Sequence, residues 1–129
     1  MSEPAIEQLA SFLVGRVDSQ DFQPFEYQEA DGSTQRYGEA AVFRLQGSGG
    51  RGLAVGLFRA TQSGKSPVYT SQAGDETFLV LSGSVTIEVL ESGETFSFRE
   101  GDVASWSKGT RTVWDFSPDF VKFFVVAEP

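Results

Sequence analysis

The chain has 129 residues, 40% of them apolar, a length and make-up that suit one folded domain with its own core. It contains no histidine and no cysteine, which excludes disulfides, thiolate chemistry, imidazole- or thiolate-held transition metals, and triads built on a His base or a Cys nucleophile. Asp and Glu outnumber Lys and Arg by 18 to 10, for a net charge of −8, so no basic stripe is available for nucleic acid and an anionic membrane surface repels the chain.

Residues 4 to about 15 predict the one helix. Ser2 can cap it, Pro4 suits a first turn, and Gly15 can end it. Ile6, Leu9, Ala10 and Leu13 fall on one stripe at spacings of three and four. Residues 1–20 are therefore expected to form a short helical segment, and residues 21–129 a single β domain. The start of the chain has neither the basic head nor the apolar run of a signal peptide, and no stretch of about 18 apolar residues is present. A cytoplasmic location is the expectation.

From residue 22 the period changes. Short β-rich runs alternate with Gly, Ser, Asp and Glu breaks: Phe25–Tyr27, Ala40–Leu45, Leu53–Ala60, Val68–Thr70, Thr77–Leu81, Ser84–Leu90, Thr95–Phe98, Val103–Trp106, Thr112–Phe116 and Phe120–Val126. Strand upon strand at this spacing implies a sandwich or barrel. Val85 to Val89 alternates apolar and polar residues most clearly, and Thr95 to Arg99 repeats the pattern. Leu81–Ser84 and Glu91–Glu94 read as hairpin turns. Two glycine motifs fail as phosphate loops. Gly47–Gly52 opens no helix, and Gly64-Lys65-Ser66 is followed by Pro67 and lacks the earlier glycine a phosphate loop requires.

Two spacings carry more. The first is Gly64, five residues, Thr70, one residue, Gln72, three residues, Glu76, six residues, Gly83. The second is Gly101, five residues, Ser107, one residue, Gly109, two residues, Thr112, three residues, Phe116, and 17 residues separate the two. Here the chain resembles the cupin superfamily, whose motifs run G-x5-H-x-H-x3-E-x6-G and G-x5-P-x-G-x2-H-x3-N. The stretch Gly101 to Trp114 and the strand Lys122-Phe123-Phe124-Val125-Val126 are similar to single-domain cupins of the ureidoglycine aminohydrolase and ethanolamine-utilisation branch. The likeness covers roughly residues 40 to 127. It implies an all-β, cupin-type barrel, a double-sheet jelly roll, behind the short N-terminal helix. The metal-ligand histidines that the family pattern calls for are Thr70, Gln72 and Thr112 here, and only Glu76 is kept. Two hydroxyls, an amide and one carboxylate suit neither a transition metal nor a hard divalent ion, so no metal and no cofactor is expected.

If the family geometry holds, Thr70 and Gln72 share the interior face, as do Glu76 with Phe78 and Thr112 with Trp114. Tyr69, Phe78 and Trp114 would wall a small pocket, and Gln72, Glu76, Thr112 and Lys122 would supply its polar points. Glu76 is the candidate catalytic residue: a desolvated carboxyl should rise in pKa and become usable as an acid or base, unless a nearby Lys or Arg, such as Lys122, pairs with it. Trp114 could stack a ligand or merely pack. Trp106 reads as core or interface rather than site. The phenylalanines at 116, 120, 123 and 124 are too many for one strand face, so some should meet a second layer or the partner of a homodimer. Four readings follow: a metal-free small-molecule binder, an acid–base enzyme using Glu76, a metal-dependent aminohydrolase-like enzyme, or a non-catalytic subunit with a filled barrel.

Overall fold

A computed structural model describes residues 7–9, 12–18 and 21–129. Thirteen strands are assigned among them: β1 (Glu7–Leu9), β2 (Phe12–Val14), β3 (Gln23–Gln28), β4 (Thr34–Gln46), β5 (Gly52–Arg59), β6 (Gly64–Lys65), β7 (Tyr69–Thr70), β8 (Asp75–Ser82), β9 (Ser84–Val89), β10 (Thr95–Arg99), β11 (Val103–Trp106), β12 (Arg111–Phe116) and β13 (Val121–Ala127). All the β-rich runs read from the sequence are strands.

Two antiparallel sheets make the barrel. One has six strands in the order β11-β8-β13-β5-β4-β3; the other has the order β10-β9-β12-β6, with β7 also paired to β12. This is an all-β double-sheet jelly roll. Each sheet turns alternate residues inward, so Glu76, Phe78 and Val80 of β8 and Thr112, Trp114 and Phe116 of β12 are all buried. The main core joins Phe78, Val80, Trp114 and Phe116 to Phe58, Val85, Ile87 and Phe120. A second, smaller cluster of Phe22, Ala41 and Leu57, with Phe43, Leu81 and Phe123 against it, lies on the other side of the six-stranded sheet. The phenylalanine surplus is thereby divided. Phe116 and Phe120 are core, Phe124 packs on the core from inside, and Phe123 joins the outer cluster.

Two expectations are corrected. The helix over residues 4–15 does not form in its described part, where β1 and β2 pair antiparallel, Glu7 with Val14 and Leu9 with Phe12; the rest of that span lies outside the described residues. A lone helix of about twelve residues is marginal in water. The run Phe12-Leu13-Val14 has strand propensity of its own, and β2 lies beside β4, where Gly15 comes hard against the ring of Phe43. The turn at Leu81–Ser84 is not a hairpin. β8 belongs to the six-stranded sheet and β9 to the other, so Gly83 is the corner at which the chain changes sheets. Gly83 has φ 73°, and a side chain there would run into Ser117, Asp119 and Phe120. The turn at Glu91–Glu94 is a hairpin, joining the paired β9 and β10.

Candidate functional site

The centre of the site follows from strand register. On β8 and β13, Val126 pairs with Glu76, Phe124 with Phe78, and Lys122 with Val80. All six face inward or pack on the core, so the four-carbon stem of Lys122 must run along the wall past Phe78 to reach Glu76. It does so: Lys122 Nζ donates to Glu76 Oε2 at 2.7 Å. Glu76 is 1% exposed and Lys122 7%. The second carboxylate oxygen, Oε1, accepts from the hydroxyl of Tyr69 at 3.0 Å. Tyr69 stands on β7 in the opposite sheet, so this bond ties the two sheets together across the barrel. The ammonium is further held by rings. Its Nζ lies 4.2 Å from the centre of Trp114, with Phe58 and Phe78 each at 5.5 Å. The carboxyl that the sequence left open to pairing thus has Lys122 as its partner.

The pair sits on the wall of a cavity of about 180 Å³. Trp114, Phe116, Phe58, Phe25, Tyr27 and Tyr37 line it. Leu45, 74% exposed, stands at the rim. The three tyrosine rings pack together, Tyr69 lying 5.0 Å from Tyr27 and 5.6 Å from Tyr37 between ring centres. Each turns its hydroxyl proton into the protein: Tyr27 to the Thr70 carbonyl, Tyr37 to the Val68 carbonyl, Tyr69 to Glu76. Burial pushes all three phenols above the usual tyrosine range. The carboxylate of Glu76 adds to the rise at Tyr69 and that of Glu29 at Tyr37, while the hydrogen bond from Gln72 opposes it at Tyr27.

Of the residues singled out from sequence, Tyr69, Glu76, Trp114 and Lys122 meet at the cavity wall. Phe78 and Thr112, each 1% exposed, lie behind it. The Thr112 hydroxyl donates to the Tyr69 carbonyl at 2.9 Å and accepts from the Trp114 indole N–H at 2.8 Å, which fixes both cavity residues. Gln72 is not on the interior. β7 ends at Thr70, so the alternation that would turn Gln72 inward stops two residues too soon; its side chain is exposed and donates to the Gln28 carbonyl. Thr70 is buried but bonded to Glu29, its N–H at 2.8 Å and its hydroxyl at 2.9 Å from the carboxylate. Trp106 is partly buried and packs against the core, its ring centre 5.2 Å from that of Trp114 and 5.5 Å from that of Phe78, and its buried indole N–H has no hydrogen-bond partner among the described residues. Glu29, Tyr27 and Tyr37 were missed. The signal for Tyr27 was present, since Phe25 and Tyr27 alternate onto one face of a recognisable strand, whereas Tyr37 lies on the part of β4 ahead of the run read from the sequence.

A family model described as the EutQ-like cupin domain matches residues 53–124, just over half the chain. The chain belongs to this cupin family. Among solved structures, the cupin fold recurs in the Cnp3 cupin domain of Schizosaccharomyces pombe, with TM-score 0.59, 13% identity and coverage of 86% of this chain and 90% of that one. A putative ethanolamine utilization protein Q from Salmonella typhimurium gives TM-score 0.56 and 20% identity, over 86% of this chain and 98% of that one. A Streptococcus pyogenes protein of unknown function gives 0.57 and 20%, over 70% and 73%. At these identities the likeness is one of fold. No curated protein matches the chain.

The donors at the four positions where the cupin resemblance implies metal ligands do not fit a divalent ion. The hydroxyls of Thr70 and Thr112 are committed to Glu29 and to the Tyr69 carbonyl, Gln72 faces away, and Glu76 carries an ammonium at 2.7 Å. One carboxylate already neutralised by a lysine is a poor anchor for a hard or a borderline cation. Among the described residues no group of three His, Cys, Asp or Glu is placed to hold a metal ion, and no helix is long and apolar enough to cross a membrane.

Proposed function

We propose that this cupin is a small-molecule-binding barrel that works without a metal. The carrying observation is the Glu76–Lys122 pair, buried on the wall of an aromatic cavity. It supplies a fixed positive charge at Glu76 from the chain itself. Aromatic walls with a single polar anchor suit the capture of a mostly apolar ligand. The family match supports the barrel and leaves the ligand open.

A second reading, acid–base catalysis at Glu76, draws on the unbroken run Tyr69–Glu76–Lys122. It is less favoured because the ammonium at 2.7 Å stabilises the charged carboxylate and so weakens it as a base.

The test uses tag-free protein, since the chain has no histidine and a His tag would import metal ligands. Toluene is titrated by ligand-observed NMR before and after exhaustive chelation. The expected result is the same affinity in both. Loss of binding on chelation, restored by a divalent metal, would overturn the proposal. A turnover later found and lost in Glu76→Gln, with binding kept, would favour the enzyme.

A further inference from the structure

We infer that the cavity selects an uncharged, single-ring ligand carrying one hydrogen-bond acceptor, such as a carbonyl, which docks on Lys122. The inference rests on the metal-independent binding site proposed above and specifies what enters it.

Size comes first. A cavity of about 150 Å³ holds one benzene. The present one, about 180 Å³, has room for one ring and a small substituent. The rings of Tyr27, Tyr37 and Trp114 line it.

Hydrogen bonding comes next. The hydroxyl protons on the wall are all spent inside the protein. The three tyrosines donate as described, Ser66 Oγ donates to the Pro67 carbonyl at 2.7 Å, and Ser71 Oγ donates to the Gly74 carbonyl at 2.6 Å. Lys122 is different. Its ammonium has three N–H groups, and among the described residues a single oxygen, Glu76 Oε2, accepts from it. The spare side-chain donors in the cavity are therefore those of Lys122, and a ligand that brings an acceptor satisfies them.

Charge then decides between ligand classes. Glu76 and Lys122 are net neutral together. A carboxylate ligand would leave one uncompensated negative charge in an apolar cavity, and an amine would set a second cation beside the ammonium. Either costs several kcal/mol of desolvation or repulsion. A neutral carbonyl gains a charge-assisted hydrogen bond and adds no charge.

The test titrates the tag-free protein at pH 7 with four ligands of similar size: benzamide, benzoate, benzylammonium and toluene. Benzamide should bind at least tenfold more tightly than each of the others. In the paired variant Glu76→Gln/Lys122→Met, which removes the donors without stranding a charge, benzamide should lose that advantage over toluene. Tightest binding by benzoate or by benzylammonium, or equal binding of benzamide and toluene to the native protein, would overturn the selectivity while leaving a ligand-binding barrel standing. Binding of none of the four would overturn the ligand-binding reading itself and this inference with it.

Discussion

The two halves of one sequence motif have taken opposite courses in this barrel. Thr70, buried, and Gln72, exposed, both bond to β3 and the residue after it: Thr70 to the carboxylate of Glu29, and Gln72 to the carbonyl of Gln28 and the hydroxyl of Tyr27. Glu76, four residues beyond Gln72, is sealed inside against Lys122. The outer half is a clasp of single hydrogen bonds, each worth about 0.5–1.5 kcal/mol between neutral groups and up to about 3 kcal/mol to a carboxylate. The inner half is a buried charge pair on the cavity wall, where losing one partner strands the other. Short-range sequence neighbours thus differ severalfold in what their removal should cost, and the charge left without a partner sets the difference, since Thr70 and Lys122 are each 7% exposed.

The most direct way to break that comparison is to strand the buried charge. Lys122→Met should lose about 3–5 kcal/mol of unfolding free energy in urea titration at pH 7. Adding Glu76→Gln should recover most of that loss, because no charge is then left buried. If the double variant is as unstable as the single, the cost lies in packing and the contrast between the halves fails. A second test uses the tyrosines. Their pKa values are raised by folding, so above about pH 10 the unfolded chain releases phenolic protons that the folded chain keeps. The contribution is complete below pH 10 and is lost as pH rises beyond it, at up to about 1.4 kcal/mol per pH unit for each proton retained. Denaturation between pH 9 and 11 should show this fall, and Tyr37→Phe should make it shallower. On the clasp, Thr70→Val should cost about 1 kcal/mol, since it removes one hydrogen bond to Glu29 and keeps the residue's shape. Gln72→Ala, at an exposed position, should stay within about 0.5 kcal/mol of the native protein. A clasp variant that costs as much as Lys122→Met would erase the distinction.

Period-two alternation made the inner half legible. It put Glu76 with Phe78 and Thr112 with Trp114 on inward faces, and it left Lys122 as a candidate partner whose side-chain direction only register could settle. The strand runs were readable because turns and β-rich segments alternate cleanly from residue 22 onward. Gln72 went wrong because alternation holds only while a strand lasts, and β7 is two residues long. Glu29, 41 residues before the Thr70 it binds, left no local trace. The N-terminal stripe satisfied a helical period, yet Phe12-Leu13-Val14 serves a strand equally well, and pairing beside β4 decided the outcome. The corner at Gly83 looked like a hairpin because a turn's composition does not say which sheet the next strand joins.

The claim that the chain's own ammonium serves where the cupin resemblance implies a metal is tested most directly by elemental mass spectrometry of tag-free protein purified without chelator. The account predicts less than about a tenth of an equivalent of manganese, iron, nickel or zinc per chain, unchanged in Glu76→Gln, because a lysine-paired carboxylate binds divalent ions poorly. Close to one equivalent of any of them in the native protein, lost in Glu76→Gln, would contradict it.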